Sequence, residues 1–306
     1  MKRGVRNVAA SKRERLANRA RSGGDTFDLV VRRFFFERFL YRLSISPVAD
    51  RFVLKGAMLF QLWAPQPYRA TADLDLLRKG PGDDAALLND MRAILNQAVD
   101  PDDGVAFEAD SIALEPIRAE DEYAGLRVRF VVRLGSIRDR LQVDVGSGDA
   151  VWPTPQRIIY PVLLDDASPR VLAYSRETVI AEKVEAMVTL GIRNSRVKDF
   201  FDLHYLASHF DFDGATVSES MRRTFKRRKT PFLPETPIAL TAEFWADASR
   251  AAQLRAFARR ARFGMDSVKP ADILPLLIDF LGPLLESLYE NRAFTATWKA
   301  GGAWTH

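Results

Sequence analysis

The sequence predicts an α+β protein, in which a half that mixes helices and strands is followed by a mainly helical half. Two segments, 126–134 and 141–146, alternate apolar and polar residues as half-buried β-strands do. The segment 27–43 instead repeats its apolar residues at helical spacing. Helical spacing then dominates from about residue 170 to the C-terminus.

Composition limits the chemistry that the chain can perform. The 306 residues include no cysteine, so disulfide bonds, thiolate zinc sites and cysteine nucleophiles are excluded. The histidines, His204, His209 and His306, are too few and too scattered for a histidine-rich metal centre. The length suffices for one large domain or two modest ones.

The charge distribution favours a polyanionic partner. The formal net charge is +5, and basic residues cluster near the N-terminus and at 222–229. Such clusters suit the backbone of structured RNA, although each one alone would equally fit a solvated basic face. No apolar core follows the basic N-terminus, so we expect neither a secretory signal nor a membrane span, and a cytoplasmic location.

Residues 1–24 are predicted to form a basic arm or a loosely docked helix. They contain few large apolar side chains and end in a Ser-Gly-Gly break. A mobile, solvated arm is the simplest expectation. Its charges are available to nucleic-acid phosphates; they are Lys2, Arg3, Arg6, Lys12, Arg13, Arg15, Arg19 and Arg21.

After the apolar helix at 27–43, a second helix is predicted at 53–63. Lys55 and Gly56 would lie in its first turn, and Pro65 and Pro67 would end it. A glycine where a helix opens lets a phosphate approach backbone N–H groups, so this turn is a candidate phosphate site.

Asp73 and Asp75 form the most informative pair of polar residues. On a strand both carboxylates project to one face, while Leu74, Leu76 and Leu77 supply apolar contacts. Two carboxylates on one face repel each other unless they are protonated or bridged by cations, and hard oxygen ligands favour Mg²⁺ or Mn²⁺. The pair predicts a two-metal phosphoryl-transfer centre or, alternatively, a solvent-facing Asp-x-Asp on an amphipathic strand.

Three further residues are candidates for the same site. Arg69 and Thr71 precede the carboxylates, where an arginine could contact a triphosphate and a hydroxyl could bind a metal-bound water or a phosphate oxygen. In the strand at 141–146, Asp144 lies opposite the apolar face. Asp144 is therefore a candidate third carboxylate that would complete a metal site and draw a proton from an attacking hydroxyl; otherwise it is an exposed strand aspartate.

The proline-rich segment 151–170 is interpreted as a connection between domains, and helices follow it. In the helix expected after residue 193, Arg196, Asp199 and Asp202 line up at intervals of three, and Lys198 and Asp202 are i, i+4 neighbours. Surface ion pairs on an amphipathic helix would explain this pattern without any site.

Four groups of residues together resemble the AbiEii-type nucleotidyltransferase toxins of the DNA polymerase β superfamily. In chain order they are Lys55-Gly56-Ala57, Arg69-x-Thr71-x-Asp73-Leu-Asp75, Glu182-Lys183, and Ser195-Arg-Val-Lys-Asp199 with Asp202. Their order is more specific than any one of them. After the basic arm at 1–24, the resemblance implies a polymerase-β-like nucleotidyltransferase domain with a mixed sheet at 25–165 and a mainly helical domain at 166–306.

The resemblance also implies a function. Members are toxins of toxin-antitoxin and phage-defence loci, and the implied reaction moves a nucleoside monophosphate from an NTP to the 3′ end of tRNA with Mg²⁺ or Mn²⁺. That transfer would block aminoacylation and stop translation, and a cognate antitoxin protein would be a further partner. Two alternatives stay open: nucleotidylation of a protein side chain, and a non-catalytic nucleotide- or RNA-binding module.

Residue roles follow from the resemblance position by position. It matches Asp73 and Asp75 to metal-binding acids, and Gly56 to the glycine before a phosphate-binding turn. It matches Lys183 to a lysine from the helical domain that neutralises triphosphate charge. Asp199, with Arg196 and Lys198 beside it, matches a later motif, and Asp202 follows one helical turn on.

The chain departs from the family pattern in two ways. Ala57 stands where the superfamily commonly has serine or a second glycine, and the gap from Gly56 to Asp73 is long. The third carboxylate also stays open between Asp144 and the pair Asp199 and Asp202.

Overall fold

The computed structural model describes residues 7–64, 71–80, 83–117, 125–260 and 269–305. The chain divides into two units. Unit 1 comprises Met1–Gly148 and Gln156–Ala173, and unit 2 comprises Asp149–Pro155 and Tyr174–His306.

Unit 1 is built on a mixed sheet. Its helices are α1 (Val8–Gly23), α2 (Phe27–Ile45), α3 (Phe60–Trp63) and α4 (Asp84–Leu95). Its strands are β1 (Phe52–Lys55), β2 (Leu74–Arg78), β3 (Val105–Ile117), β4 (Gly125–Leu134), β5 (Ile137–Ser147), β6 (Gln156–Ile159) and β7 (Arg170–Ala173). They pair in the order β3-β4-β5-β2-β1-β7-β6. The β2–β5 and β1–β7 pairs are parallel and the others antiparallel, which confirms the predicted mixed sheet.

The apolar face of this sheet carries the core of unit 1. Val128 and Phe130 on β4 are buried, and the Phe130 ring stacks on Phe39 of α2 with centroids 5.6 Å apart. The aromatic residues of α2 are thus core residues, as their helical spacing predicts. Because side chains alternate along a strand, the arginines of β4 occupy the opposite face of the sheet.

Two predicted elements of unit 1 are wrong. Residues 53–63 do not form one helix: Phe52–Lys55 is a buried strand, Gly56–Leu59 a 3₁₀-helix and Phe60–Trp63 a single helical turn. The apolar run of β1 is held between β2 and β7, so sheet pairing overrides its helical spacing. The segment 151–170 is not only a connection, because β6 within it forms the end of the sheet.

The N-terminal arm folds as a docked helix from residue 8 onward. Leu16 and Ala20 of α1 are buried. Its Lys12 ammonium lies 2.5 Å from the Asp166 carboxylate, and Arg15 lies 2.6 Å from Asp165. Residues 1–6 lie outside the described residues.

Unit 2 is mainly helical, as the spacing of its apolar residues predicts. Its elements are α5 (Arg176–Leu190), α6 (Val197–His209), β8 (Phe212–Asp213), α7 (Gly214–Arg227), α8 (Ala242–Trp245), α9 (Ala248–Arg260), α10 (Pro270–Tyr289), β9 (Thr297–Trp298) and β10 (Trp304–Thr305). Helix α5 packs on α7, and α6 packs on α9 and α10. The buried Trp298 ties the small sheet β10-β9-β8 to α6, since its indole N–H donates to the Ala207 carbonyl at 2.7 Å.

None of the described helices is both long enough and apolar enough to cross a membrane.

Candidate active site

The residues predicted for a site fall into two groups, one in each unit, and each group has its own geometry. Lys55, Gly56, Thr71, Asp73, Asp75 and Asp144 lie in unit 1. Lys183, Arg196, Lys198, Asp199 and Asp202 lie in unit 2. Arg69 lies outside the described residues.

A row of five charged residues crosses the sheet of unit 1, and we call it the charged row. Its members are successive register partners on β3, β4, β5, β2 and β1: Glu115, Arg127, Asp144, Asp75 and Lys55. Register partners project to the same face of a sheet, so all five side chains share the face opposite Phe130. Asp144 and Asp75 are neighbours at its centre, with a basic residue on either side.

Gly56 is required by the position of Asp75. Its φ of +73° is a conformation that favours glycine. A Cβ atom at this position would come within 2.0 Å of the Asp75 carboxylate oxygen Oδ2. The residue that was predicted to open a helix therefore serves a different purpose: it lets the backbone after β1 pass directly against a carboxylate of the charged row.

Asp73 lies immediately before β2, and Thr71 fixes its orientation. The Thr71 hydroxyl donates to Asp73 Oδ1 at 2.8 Å and to the Asp73 carbonyl at 3.0 Å. Asp73 and Asp75 are both half-buried, whereas Leu74 between them is fully buried. Asp75 is therefore the least buried residue of β2, and Asp73 just before the strand is half-buried as well.

Asp144 has a partner that the sequence interpretation did not name. Arg127 donates from Nε and Nη2 to the two carboxylate oxygens of Asp144, both at 2.9 Å. This hydrogen-bonded carboxylate raises the pKa of Arg127 above its usual range, with smaller contributions from Asp73 and Glu115. Arg127 therefore interacts with two of the predicted carboxylates, Asp144 and Asp73.

The donor chemistry of unit 1 fits a divalent cation at Asp73 and Asp75, because half-exposed carboxylate oxygens are the ligands that Mg²⁺ and Mn²⁺ prefer. Asp144 fits less well, since both of its oxygens accept hydrogen bonds from Arg127. In the arrangement seen here, no three histidine, aspartate or glutamate side chains of the described residues are grouped so that they could hold a metal ion.

In unit 2, Lys183 joins α5 to α6. Its ammonium group lies 2.5 Å from Asp199 Oδ1 and 2.8 Å from Asp202 Oδ2. The lysine side chain is 13% exposed, and those of the aspartates are 3% and 0% exposed. Asp199 and Asp202 of α6 therefore form buried ion pairs with a residue of another helix. They are not surface ion pairs along one helix, which was the alternative interpretation.

Arg196 and Lys198 differ in what they contact. Arg196, at the N-terminal boundary of α6, places Nε 3.1 Å from Asp199 Oδ2 while much of its side chain stays exposed. Lys198 is exposed, and the carboxylate of its i, i+4 neighbour Asp202 accepts a hydrogen bond from Lys183. Arg196 thus extends the buried ion pairs toward solvent.

The basic cluster at 222–229 is not a uniform phosphate-binding surface. Arg228 lies 2.6 Å from Glu185, 3.3 Å from Asp149 and 3.6 Å from Glu182. Burial opposes its charge, but these carboxylates outweigh that effect and raise the pKa of Arg228 above its usual range. Arg228 therefore neutralises acids of unit 2, while Lys226 and Lys229 are exposed.

Comparison with known proteins agrees with the motifs. The family model described as "Nucleotidyl transferase AbiEii toxin, Type IV TA system" matches residues 38–281. A Helicobacter pylori protein with a provisional description as a nucleotidyltransferase shares 16% identity over 87% of this chain and 96% of its own, with a TM-score of 0.45. JHP933 from Helicobacter pylori shares 14% identity over 87% and 94% of the two chains, also with a TM-score of 0.45. None of the curated proteins matches the chain.

Proposed function

Because the chain belongs to the AbiEii family of nucleotidyltransferase toxins of type IV toxin-antitoxin systems, we propose that it transfers a nucleoside monophosphate from an NTP to the 3′ end of tRNA. The acceptor hydroxyl oxygen forms a bond to the α-phosphorus, the bond from that phosphorus to the bridging oxygen breaks, and pyrophosphate leaves. The hydroxyl proton passes to a carboxylate or to water. No covalent enzyme intermediate is needed, since positioning and charge neutralisation suffice.

The observation that carries this proposal is the packing of Gly56 against Asp75 in the charged row. Only a residue without a Cβ atom leaves room for that carboxylate, so the turn after β1 and the acid on β2 form one unit. Asp73 stands beside it with its orientation fixed by Thr71. A divalent cation bound by these carboxylates could bridge them to the oxygens of a triphosphate.

Mg²⁺ or Mn²⁺, when bound, would neutralise charge on the phosphates and on the leaving pyrophosphate. Asp73 and Asp75 would hold it. Thr71 keeps Asp73 in place by a hydrogen bond, and Gly56 sets how closely the turn approaches Asp75.

The residues of unit 2 have separate roles in this proposal. Asp199 and Asp202 hold Lys183 in position, and Arg196 extends this group of ion pairs toward solvent. In unit 1, Asp144 is the candidate to take the hydroxyl proton, once its hydrogen bonds to Arg127 are released. Lys198 is exposed and suits contact with an RNA phosphate.

The proposed reaction explains toxicity. A tRNA that carries an extra nucleotide at its 3′ end cannot be aminoacylated, so translation would stop in the cytoplasm. An antitoxin partner agrees with membership of a type IV system. Exposed basic residues such as Lys226 support an RNA acceptor, because a lysine ammonium can contact a backbone phosphate.

The test is transfer of label from each α-labelled NTP into total RNA in the presence of Mg²⁺. We expect labelled tRNA with the wild-type chain and a loss of at least about a hundredfold with Asp73→Ala. Asp110→Ala is the matched control, because Asp110 is an exposed aspartate on β3. Equal transfer by Asp73→Ala would overturn the assignment of the site, and label in protein would move the acceptor to a side chain.

A further inference from the structure

The Arg127–Asp144 pair of the charged row is held by two hydrogen bonds and by the register of the sheet. The two residues are register partners on β4 and β5, so the sheet itself sets their separation. Arg127 Nε donates to Asp144 Oδ1 and Nη2 donates to Oδ2, each at 2.9 Å, which is the bidentate geometry of a strong charge-assisted pair. Asp144 is only 14% exposed, so water competes weakly for its oxygens.

This pair conflicts with a role of Asp144 as a metal ligand. A carboxylate whose two oxygens accept from a guanidinium must give up at least one of those bonds before it can bind a cation. Arg127 is also only two strands from Asp75 in the charged row, because Asp144 is the register partner of both residues. A divalent cation near Asp73 and Asp75 therefore meets a competitor at Asp144 and a like charge close by.

We infer that Arg127 is an internal counter-ion of the site, which competes with a divalent cation for Asp144 and lowers the affinity of the site for that cation. The inference rests on the proposed function, since it concerns the same carboxylates. It assigns to Arg127 a positioning role: it holds the third carboxylate away from the metal until the guanidinium is displaced. An incoming triphosphate is chemically suited to displace it, because phosphate oxygens accept the same bidentate hydrogen bonds.

The chain offers a matched control in Arg129. It lies two residues along β4 on the same face, but it donates to Glu115 at 2.6 and 2.7 Å rather than to Asp144. Arg129→Gln removes the same charge from the same strand. A difference between Arg127→Gln and Arg129→Gln therefore reports the contact with Asp144 and not the net charge.

The test is Mn²⁺ binding to the full chain, measured by electron paramagnetic resonance as the loss of the free-ion signal. We expect Arg127→Gln to bind Mn²⁺ about tenfold more tightly than the wild type, and Arg129→Gln to stay within about twofold of it. The double variant Arg127→Gln/Asp144→Asn should lose the gain. Addition of a non-hydrolysable NTP analogue should raise the Mn²⁺ affinity of the wild type more than that of Arg127→Gln.

Three results would overturn the inference. They are Mn²⁺ binding by Arg127→Gln that is no tighter than by Arg129→Gln, a gain that persists without Asp144, and no measurable binding by any variant. If Arg127→Gln does not fold, Arg127→Lys replaces it: a lysine keeps the charge but cannot form the bidentate contact, so a gain of about threefold is expected. Transfer by Asp73→Ala would overturn the proposed function alone, because the Mn²⁺ comparison requires no turnover.

Discussion

The carboxylates of the two units look alike in the sequence and differ in the structure. Asp73 and Asp75 are half-buried on a sheet, next to a glycine turn. Asp199 and Asp202 are buried on a helix, where the Lys183 ammonium contacts both. Burial with a fixed counter-charge is typical of acids that hold a structure together, whereas partial exposure beside bare backbone is typical of acids that receive a ligand.

The largest expected effect is on catalysis by the sheet carboxylates. Asp75→Asn keeps the shape of the side chain but removes its charge, so transfer to RNA should fall by about a thousandfold. The midpoint of urea unfolding should move little, because the side chain is half-exposed. Labelled-RNA transfer and urea titration of one preparation check both. If Asp75→Asn lost much stability but kept its transfer activity, Asp75 would serve the structure and not the reaction, contrary to the prediction.

The next effect is on stability and belongs to the helix carboxylates. Asp202→Asn should lower the free energy of unfolding by about 3 kcal/mol, because it leaves the buried Lys183 ammonium with one carboxylate fewer. In a Lys183→Met background the same substitution should cost about 1 kcal/mol less, since the charge it neutralises is gone. Urea unfolding of the four chains in this cycle measures the coupling. If the two substitutions lower the free energy of unfolding additively, the Lys183–Asp202 ion pair contributes no coupling energy.

A third prediction separates two effects of replacing a glycine that has a positive φ: backbone strain, and a steric clash with Asp75. Gly56→Ala should lower the free energy of unfolding by about 2 to 3 kcal/mol and reduce transfer at least about tenfold, because the new methyl group meets Asp75. Gly80→Ala is the control: its φ is +96°, but among the described residues other than its chain neighbours no atom lies within 4 Å of the new Cβ. It should cost only about 1 kcal/mol and leave transfer unchanged.

The smallest expected effect concerns a third kind of acid, which is buried and only partly neutralised. Burial raises the pKa of Glu37 on α2 to about 6, although Arg33 and the Leu163 amide oppose that rise. The folded state then holds this proton more tightly than the unfolded chain, so stability is higher below pH 4.5 and falls as the pH rises to 6. The loss is about 2 kcal/mol.

Urea unfolding between pH 4 and 7 checks this prediction. Glu37→Gln should flatten the decline between pH 4.5 and 6, because no proton is exchanged at this position. If the stability of Glu37→Gln falls by the same amount over this pH range, the fall is caused by other titrating groups.

Much of the fold follows from local patterns, and the exceptions have physical causes. The strands β4 and β5 alternate, so their polar and apolar faces are evident from the sequence. The strand β1 is not evident from the sequence, because its apolar residues are consecutive and both of its neighbouring strands come from later in the chain. Ion pairs such as Lys183 with Asp199 join residues 16 apart on different helices, which no single periodicity relates.

The pairing of Arg127 with Asp144 is predictable from the sequence. A two-residue turn at Gly135-Ser136 joins β4 to β5, and Gly135 has a φ of +60°. Such a turn pairs Leu134 with Ile137, and counting outward places Arg127 opposite Asp144. The alternating pattern identifies both faces, but only the length of the turn identifies the partner.

The charged row also has a consequence for the time at which the chain becomes active during its synthesis. Its members are drawn from five strands between residues 55 and 144, and β1 further requires β7, which ends at Ala173, as its second neighbour. Contacts of such sequence separation form late, after the chain that supplies them has been made. A ribosome-bound fragment that ends before β5 contains Asp73 and Asp75 but lacks Asp144 and the strand that aligns them. The growing polypeptide therefore cannot assemble the charged row until residue 144, close to the middle of its 306 residues, has been made.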